Sequence, residues 1–400
     1  MTINCRKTLC VRRRRFLGLT AVMAGALSCG VWGGAPSTSR RAAKVALLNC
    51  KGYDLQVLKE VYRRGFDLLG GIGRLVKGKT VTIKLNLTGT GNRPAFNRHP
   101  GFSYMTHFQT VAALMAVLFG EGARRVRLVE STTSRARLEQ TLQFLDWDVQ
   151  ALSALGAVEY ENTRNRGVGR DYATLKVASG GYMFSSFQLN HAYADTDVFI
   201  SLTKLKDHVT TGVTLSLKNL FGITPNSLYG DQAGNEDATA GRGILHGPGV
   251  AEDPARAAKI QLPGLKKGYL DYPREPGYRV PHIIADVCAA RPIDFAIIDG
   301  ITTMTKGEGW WCGDVGYTEP GLMIMGLDPV ATDAVGMAVM GYPNPRAERG
   351  TVPFFQCENH LLLAEKAGVG TADLAQIEVL GRTIKDCIHP FPHSPLYKKS

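Results

Sequence analysis

The chain lacks the short signatures of several well-known chemistries. It has no G-x-x-x-x-G-K-[ST] loop, no H-E-x-x-H pair and no G-x-S-x-G elbow. The Gly70-Gly71-Ile72-Gly73 cluster has no strand before it, so it is not a dinucleotide fingerprint. Cysteine is sparse and scattered, with eight in 400 residues and no C-x-x-C pair, which removes a zinc or iron–sulfur framework. Beyond residue 35 only Cys50, Cys288, Cys312, Cys357 and Cys387 occur, an odd and widely spaced set that is no disulfide scaffold and reads as buried small apolar groups. That part of the chain also has no run of about 18 uncharged apolar residues, so no transmembrane helix is expected in it.

Positive charge, by contrast, is in excess. Lys and Arg number 47 against 35 Asp and Glu, a formal net charge of +12. Taken whole, that balance suggests an acidic partner such as nucleic acid. Its distribution argues otherwise. Six of the charges, Arg6, Lys7 and Arg12 to Arg15, lie in the first 35 residues, which hold no acidic residue. Removing them leaves +6. The segment Arg13-Arg14-Arg15-Phe16-Leu17, followed by uncharged Gly18 to Gly34, resembles a twin-arginine export signal. Residues 1–35 therefore read as an address handled by the twin-arginine export machinery, with the remainder in the periplasm or cell envelope. Cleavage near Gly33-Gly34-Ala35 is the leading expectation, and lipid attachment at Cys29 the minor one. Nucleic acid is not an expected partner, because the remaining lysines lack interleaved aromatics.

From Lys44 onward, short β-rich runs alternate with helical periodicity. Val45 to Asn49, Val81 to Leu87 and Val126 to Glu130 read as strands separated by helices over residues 54–70 and 107–118. Alternating segments at residues 173–177 and 183–187 predict a hairpin-like insertion. Strands return at Asp197 to Leu202, Phe295 to Ile298 and Leu322 to Met325, with a Gly- and Pro-rich excursion over residues 226–279. The fold class is α/β: a mostly parallel sheet flanked by helices, with a β-rich insertion and a long irregular loop, in one domain over residues 44–400. Ligands of such sheets favour the carboxyl ends of the strands, where Asn86 and Glu130 stand.

The densest polar segment follows the strand at residues 197–202. Lys204, Lys206, His208, Thr210, Thr211, Thr214, Ser216 and Lys218 fall within fifteen residues, ahead of Asn219. Ammonium and hydroxyl groups at a strand end suit a phosphate or carboxylate. Lys206 and Lys218 should lower the pKa of His208 and keep its ring neutral. Asp328-Pro329 reads as the cap and first residue of a helix reaching Met340, with Asp333 inside its apolar first turns. Asp299 closes a strand and opens a glycine-rich loop carrying Lys306, Gly307, Glu308 and Gly309. A carboxylate buried in an apolar helix needs a partner, so Asp333 and Asp299 are candidate ligands of a divalent metal.

These blocks resemble the DUF362 family, a widespread prokaryotic group of unknown activity. The match runs through Lys204 to Gly222, Ile83-Lys84-Leu85-Asn86-Leu87, Asp299-Gly300-Ile301 through Gly313, and Gly326-Leu327-Asp328-Pro329-Val330-Ala331-Thr332-Asp333. Departures occur at Leu85 and Phe108, where the family tends to have Pro, and at Trp310-Trp311, which give the loop mouth a different aromatic shape. Some members carry an appended ferredoxin-type domain, which the cysteine spacing here excludes. The resemblance implies an α/β fold and the location of a site, and no reaction.

The resulting expectation is a crevice for a small anionic molecule lined by Lys84, Asn86, Lys204, Thr210, Thr211, Ser216, Asn219, Gly307 and Gly309. In its enzymatic form, His208 is the acid/base beside Lys206 and Lys218. The alternative is a non-enzymatic periplasmic ligand- or metal-binding protein.

Overall fold

The computed structural model describes residues 42–88, 91–167, 171–247, 261–268 and 271–392. Residues 1–35, which the sequence suggests are an export signal and which include Cys29, lie outside the described residues, as does part of the 226–279 excursion.

Eight strands form one sheet: β1 (Ala43–Asn49), β2 (Thr80–Lys84), β3 (Arg125–Glu130), β4 (Val158–Asn162), β5 (Val198–Lys204), β6 (Phe295–Gly300), β7 (Leu322–Gly326) and β8 (Ile377–Gly381). Their spatial order is β8-β1-β7-β6-β5-β2-β3-β4. All neighbours are parallel except at β7, which runs antiparallel to both β1 and β6. The mostly parallel sheet expected from the alternation is present. The βαβαβ opening is not a set of adjacent strands, because β7 and β8 flank β1, and β5 with β6 lies between β7 and β2.

Side chains alternate between the two sheet faces, and each face has its own core. Ala46, Leu48, Val81, Ile83, Ile200 and Leu202 pack beneath helices α1 (Leu55–Leu68) and α2 (Phe108–Gly120). Val45, Leu47, Ala296, Ile298, Leu322 and Ile324 meet, on the opposite face, α3 (Leu215–Asn219), α4 (Pro276–Ala290), α5 (Pro329–Val339) and α6 (His360–Lys366). The helix starts follow local chemistry. Asp54 accepts from the Gln56 and Val57 amides at 3.0 and 2.9 Å, and Asp328 accepts from the Ala331 amide at 2.9 Å, with Pro329 as first residue.

The predicted hairpin exists as Ala173–Lys176 paired antiparallel with Ser186–Leu189. The excursion is less irregular than expected. It contains short helices at Asn226–Tyr229 and Gly243–His246, and α4 already begins at Pro276. Edge strands β4 and β8 had no clear pattern in the sequence. Cys50, Cys288, Cys357 and Cys387 are buried, Cys312 is partly exposed, and none of these five is in a disulfide.

Candidate functional site

Because β2, β3, β5 and β6 are parallel, their carboxyl ends share one edge of the sheet. The loops there enclose a cavity of about 520 Å³. Its wall includes Lys84 and Asn86 after β2, Glu130 and Ser131 after β3, and His208, Thr210, Lys218 and Asn219 after β5. Arg242 and His246 enter from the excursion, and Glu308 and Trp311 from the glycine-rich loop.

A buried ion pair forms the floor. Lys84 Nζ lies 2.6 Å from Glu130 Oε1 and also donates to the Leu85 carbonyl at 2.8 Å. Glu130 accepts from the Leu87 and Ser131 amides, each at 2.9 Å. Burial lowers the Lys84 pKa, opposed by Glu130 and assisted by Arg242. Asn219 Oδ1 lies 3.4 Å from Lys84 Nζ and 3.3 Å from Asn86 Nδ2, so one amide ties the ends of β2 to α3.

Two further cations face this space without an ion pair among the described residues. Lys218 places Nζ 4.9 Å from the centre of the Phe221 ring. Burial brings its pKa to about 8, with Arg242 and Lys84 adding to the shift and Glu308 opposing it. Arg242 donates to the Thr224 carbonyl at 2.7 Å, the Ser131 hydroxyl at 2.5 Å and the Gly222 carbonyl at 3.3 Å. Burial lowers this guanidinium to about 10.

His208 Nδ1 accepts from the Thr210 amide at 3.1 Å, which places the ring proton on Nε2. Its pKa falls well below 6.5 through burial first, with Lys218, His246 and Lys206 contributing and Glu308 opposing. Glu308 accepts from the Val209 amide at 3.0 Å and the Trp311 indole at 3.2 Å. Burial works against its charge, while the charge His208 carries when protonated, those two donors and Lys218 lower its pKa; with His208 neutral, the donors and Lys218 are what hold it down. His246 donates Nδ1–H to the Arg242 carbonyl at 2.8 Å, leaving Nε2 as its acceptor.

Of the residues expected at the site, Lys84, Asn86, His208, Thr210, Lys218 and Asn219 line the cavity together. Lys204 does not. It pairs instead with Asp299 at 3.1 Å, on the α1 and α2 side of the sheet, where Tyr53 and the Thr302 carbonyl accept from its Nζ at 2.6 and 3.0 Å. Lys206 is buried behind the wall, donating to the carbonyls of Tyr104 at 2.6 Å and Glu308 at 3.2 Å. Burial takes its amine to about 7, with Glu308 opposing and Lys218 and Lys204 adding to the shift. Thr211 donates to the Val213 carbonyl, away from the cavity. Gly307 and Gly309 shape the loop: a Cβ would fall 2.5 Å from Cys312 Cβ at the first and 2.2 Å from the Trp311 ring at the second.

The proposed metal pair is not assembled. Asp333 accepts from the Ser216 and Leu217 amides at 2.8 and 2.9 Å and from the Ser216 hydroxyl, so it caps α3. Ser216 is thereby turned from the cavity into the core. Asp299 is taken by Lys204, Thr110 and the Ile301 amide. No cluster of three or more His, Cys, Asp or Glu side chains suited to a metal occurs among the described residues. The cavity residues that the sequence reading did not assign are chiefly Ser131, Arg242 and His246. Only Ser131, next to Glu130 at a strand end, had a positional signal.

Part of the chain matches a thylakoid-associated protein of Synechocystis sp. (strain ATCC 27184 / PCC 6803 / Kazusa), at 31% identity over 186 residues, 46% of this chain and 51% of that protein. Among solved structures, the lactate racemase apoprotein of Thermoanaerobacterium thermosaccharolyticum overlays at TM-score 0.35 with 10% identity, covering 72% of this chain and 56% of that one. A Thermotoga maritima protein overlays at TM-score 0.31 with 14% identity, covering 66% and 54%. The chain thus spans about half the length of each, and overlays this loose say nothing about activity. No helix among the described residues is long and apolar enough to cross a membrane. The family described as Domain of unknown function (DUF362) matches residues 81–338, which include every cavity-lining residue, and the chain belongs to it.

Proposed function

We propose that the protein captures a small anionic molecule in the cavity at the ends of β2, β3 and β5, and does so after export by the twin-arginine route. The observation that carries the binding reading is the pair Lys218 and Arg242. Both cations line the cavity, and neither has a carboxylate partner among the described residues. With Lys84 beside them, three cations face two carboxylates, Glu130 and Glu308, while His208 and His246 are held toward neutrality by burial. An anion would complete this balance. His208, its Nδ1 engaged by the Thr210 amide, is a polar part of the same wall.

Calorimetric titration of the full chain with inorganic phosphate and acetate tests the reading. A charge-assisted hydrogen bond contributes roughly 1.5–3 kcal/mol. Lys218→Met should therefore weaken binding by about 10- to 150-fold. Equal affinity in wild type and variant would refute it. An acid–base enzyme working on the bound anion is the second reading, favoured by Lys218 at about 8, which can exchange protons near neutrality.

Support for export comes from Arg13-Arg14-Arg15-Phe16-Leu17 and the uncharged run to Gly34. The thylakoid association of the Synechocystis relative suits a protein that works at or beyond a membrane. Replacing Arg13 and Arg14 together by Lys should leave the protein in the cytoplasm on fractionation; undiminished export would sink the route.

A further inference from the structure

Trp311 is held in the cavity wall as a rigid platform. Its indole Nε1 donates to Glu308 Oε1 at 3.2 Å, which satisfies the polar edge of the ring. Tyr104 packs edge-on with centroids 6.0 Å apart, and Trp310 does so at 5.7 Å. Trp310 is in turn covered by the Arg93 guanidinium, 3.6 Å from its centroid. Gly309 passes so close beneath Trp311 that any side chain there would strike the ring. Despite these restraints, 40% of Trp311 stays exposed while it lines the cavity. With its N–H already taken, the ring offers the cavity an apolar aromatic surface and nothing else. Phe221 lines the same chamber beside Lys218.

We propose that Trp311 determines specificity, and that the ligand is an anion bearing a planar conjugated ring. The ring lies against Trp311 and the charge sits at Lys218 and Arg242. This rests on the anion-binding reading above. A lone inorganic anion would be served by the cations alone and would leave the tryptophan surface wet, whereas a ring-bearing anion covers that surface and uses the volume of about 520 Å³. Aromatic rings also favour offset or edge contacts with each other over equivalent saturated surface.

The test compares two carboxylates of equal charge and similar size, 2-naphthoate and decahydro-2-naphthoate, by calorimetry on the full chain. Wild type should bind 2-naphthoate roughly 2- to 10-fold more tightly. Trp311→Leu should erase that preference, and Trp311→Phe should retain part of it, a rescue that a purely structural role would not give. Lys218→Met should weaken both probes alike. Equal wild-type affinities, or a preference that survives Trp311→Leu, would overturn the ring inference while leaving the anion reading standing. Indifference of both probes to Lys218→Met would overturn the anion reading. If neither probe binds wild type, the ring inference is wrong, and phosphate titration decides the fate of the anion reading separately.

Discussion

Glu130→Gln removes the only carboxylate that pairs with Lys84 among the described residues, and the pair is almost wholly shut away from water, with 2% and 6% of the two side chains exposed. The variant keeps the size and one acceptor of Glu130 but loses the charge that holds the ammonium in place. Breaking a buried pair in this way typically costs about 3–5 kcal/mol. An independent ceiling comes from the proton. If Lys84 escapes the penalty by deprotonating, the cost is about 1.4 kcal/mol for each pH unit below roughly 10.4, or about 4.6 kcal/mol at pH 7 and about 1.9 kcal/mol at pH 9. The sign is defined: in the variant the unfolded chain binds a proton that the folded chain lacks, so variant stability rises with pH and the difference from wild type shrinks. Urea denaturation of both proteins at pH 7 and pH 9, compared at equal slope, measures this. A loss below about 1 kcal/mol at pH 7, or one that stays constant to pH 9, would refute the account of a buried, charged Lys84.

Anion affinity should decline as pH rises through about 8, because the anion raises the Lys218 pKa from that value and binding takes up a proton; calorimetry in buffers of differing ionisation heat counts it. Asp286 accepts from three consecutive amides, Tyr182, Met183 and Phe184, at 2.6 to 2.8 Å, so Asp286→Ala should cost roughly 3 kcal/mol in urea denaturation. Burial, aided by Lys218, holds His360 at about 3, so its unfolded-state protonation erodes stability as pH falls below roughly 6.5. His360→Phe should reduce the slope of unfolding free energy between pH 4 and 6 by nearly one proton, seen in urea midpoints across that range. Asp333→Ala, by uncapping α3, should weaken anion binding without touching the cavity, and unchanged titrations would detach α3 from the site.

The architecture was legible because strands and helices leave periodic traces, and β1, β2, β3, β5, β6, β7, α1, α2 and α5 all carry them. β4 and β8 left little, because edge strands are half covered and mix charged with apolar residues. At the site, period-two alternation separates the lysines. Ile83 and Leu202 belong to the core beneath α1 and α2, so Lys84 lies on the opposite face and Lys204 on theirs. Register then sets Lys204 beside Asp299 on the neighbouring strand, which accounts for their pairing with each other. The capping of α3 by Asp333, 117 residues away, has no local trace, so from sequence alone its buried carboxylate points to a metal instead. Arg242 and His246 lie in a Gly-rich stretch without periodicity, and it is the Ser131 hydroxyl and the carbonyls of Gly222 and Thr224, all distant or non-periodic in sequence, that direct Arg242 into the wall.

The placement of β1 bears on how the molecule is made. Its two neighbours come from residues 322–326 and 377–381, while the strands that carry the cavity are complete by Gly300. During synthesis the strands around the cavity emerge before either partner of β1 does. Until β7 and β8 arrive, β1 presents unpaired backbone on both edges, an invitation to pair with other chains. Closure across so long a separation is also slow, since loop entropy must be overcome before the pairing forms. A nascent chain cut short before residue 377 would leave one edge of β1 unpaired, so the order of synthesis leaves the sealing of the sheet on that side to β8.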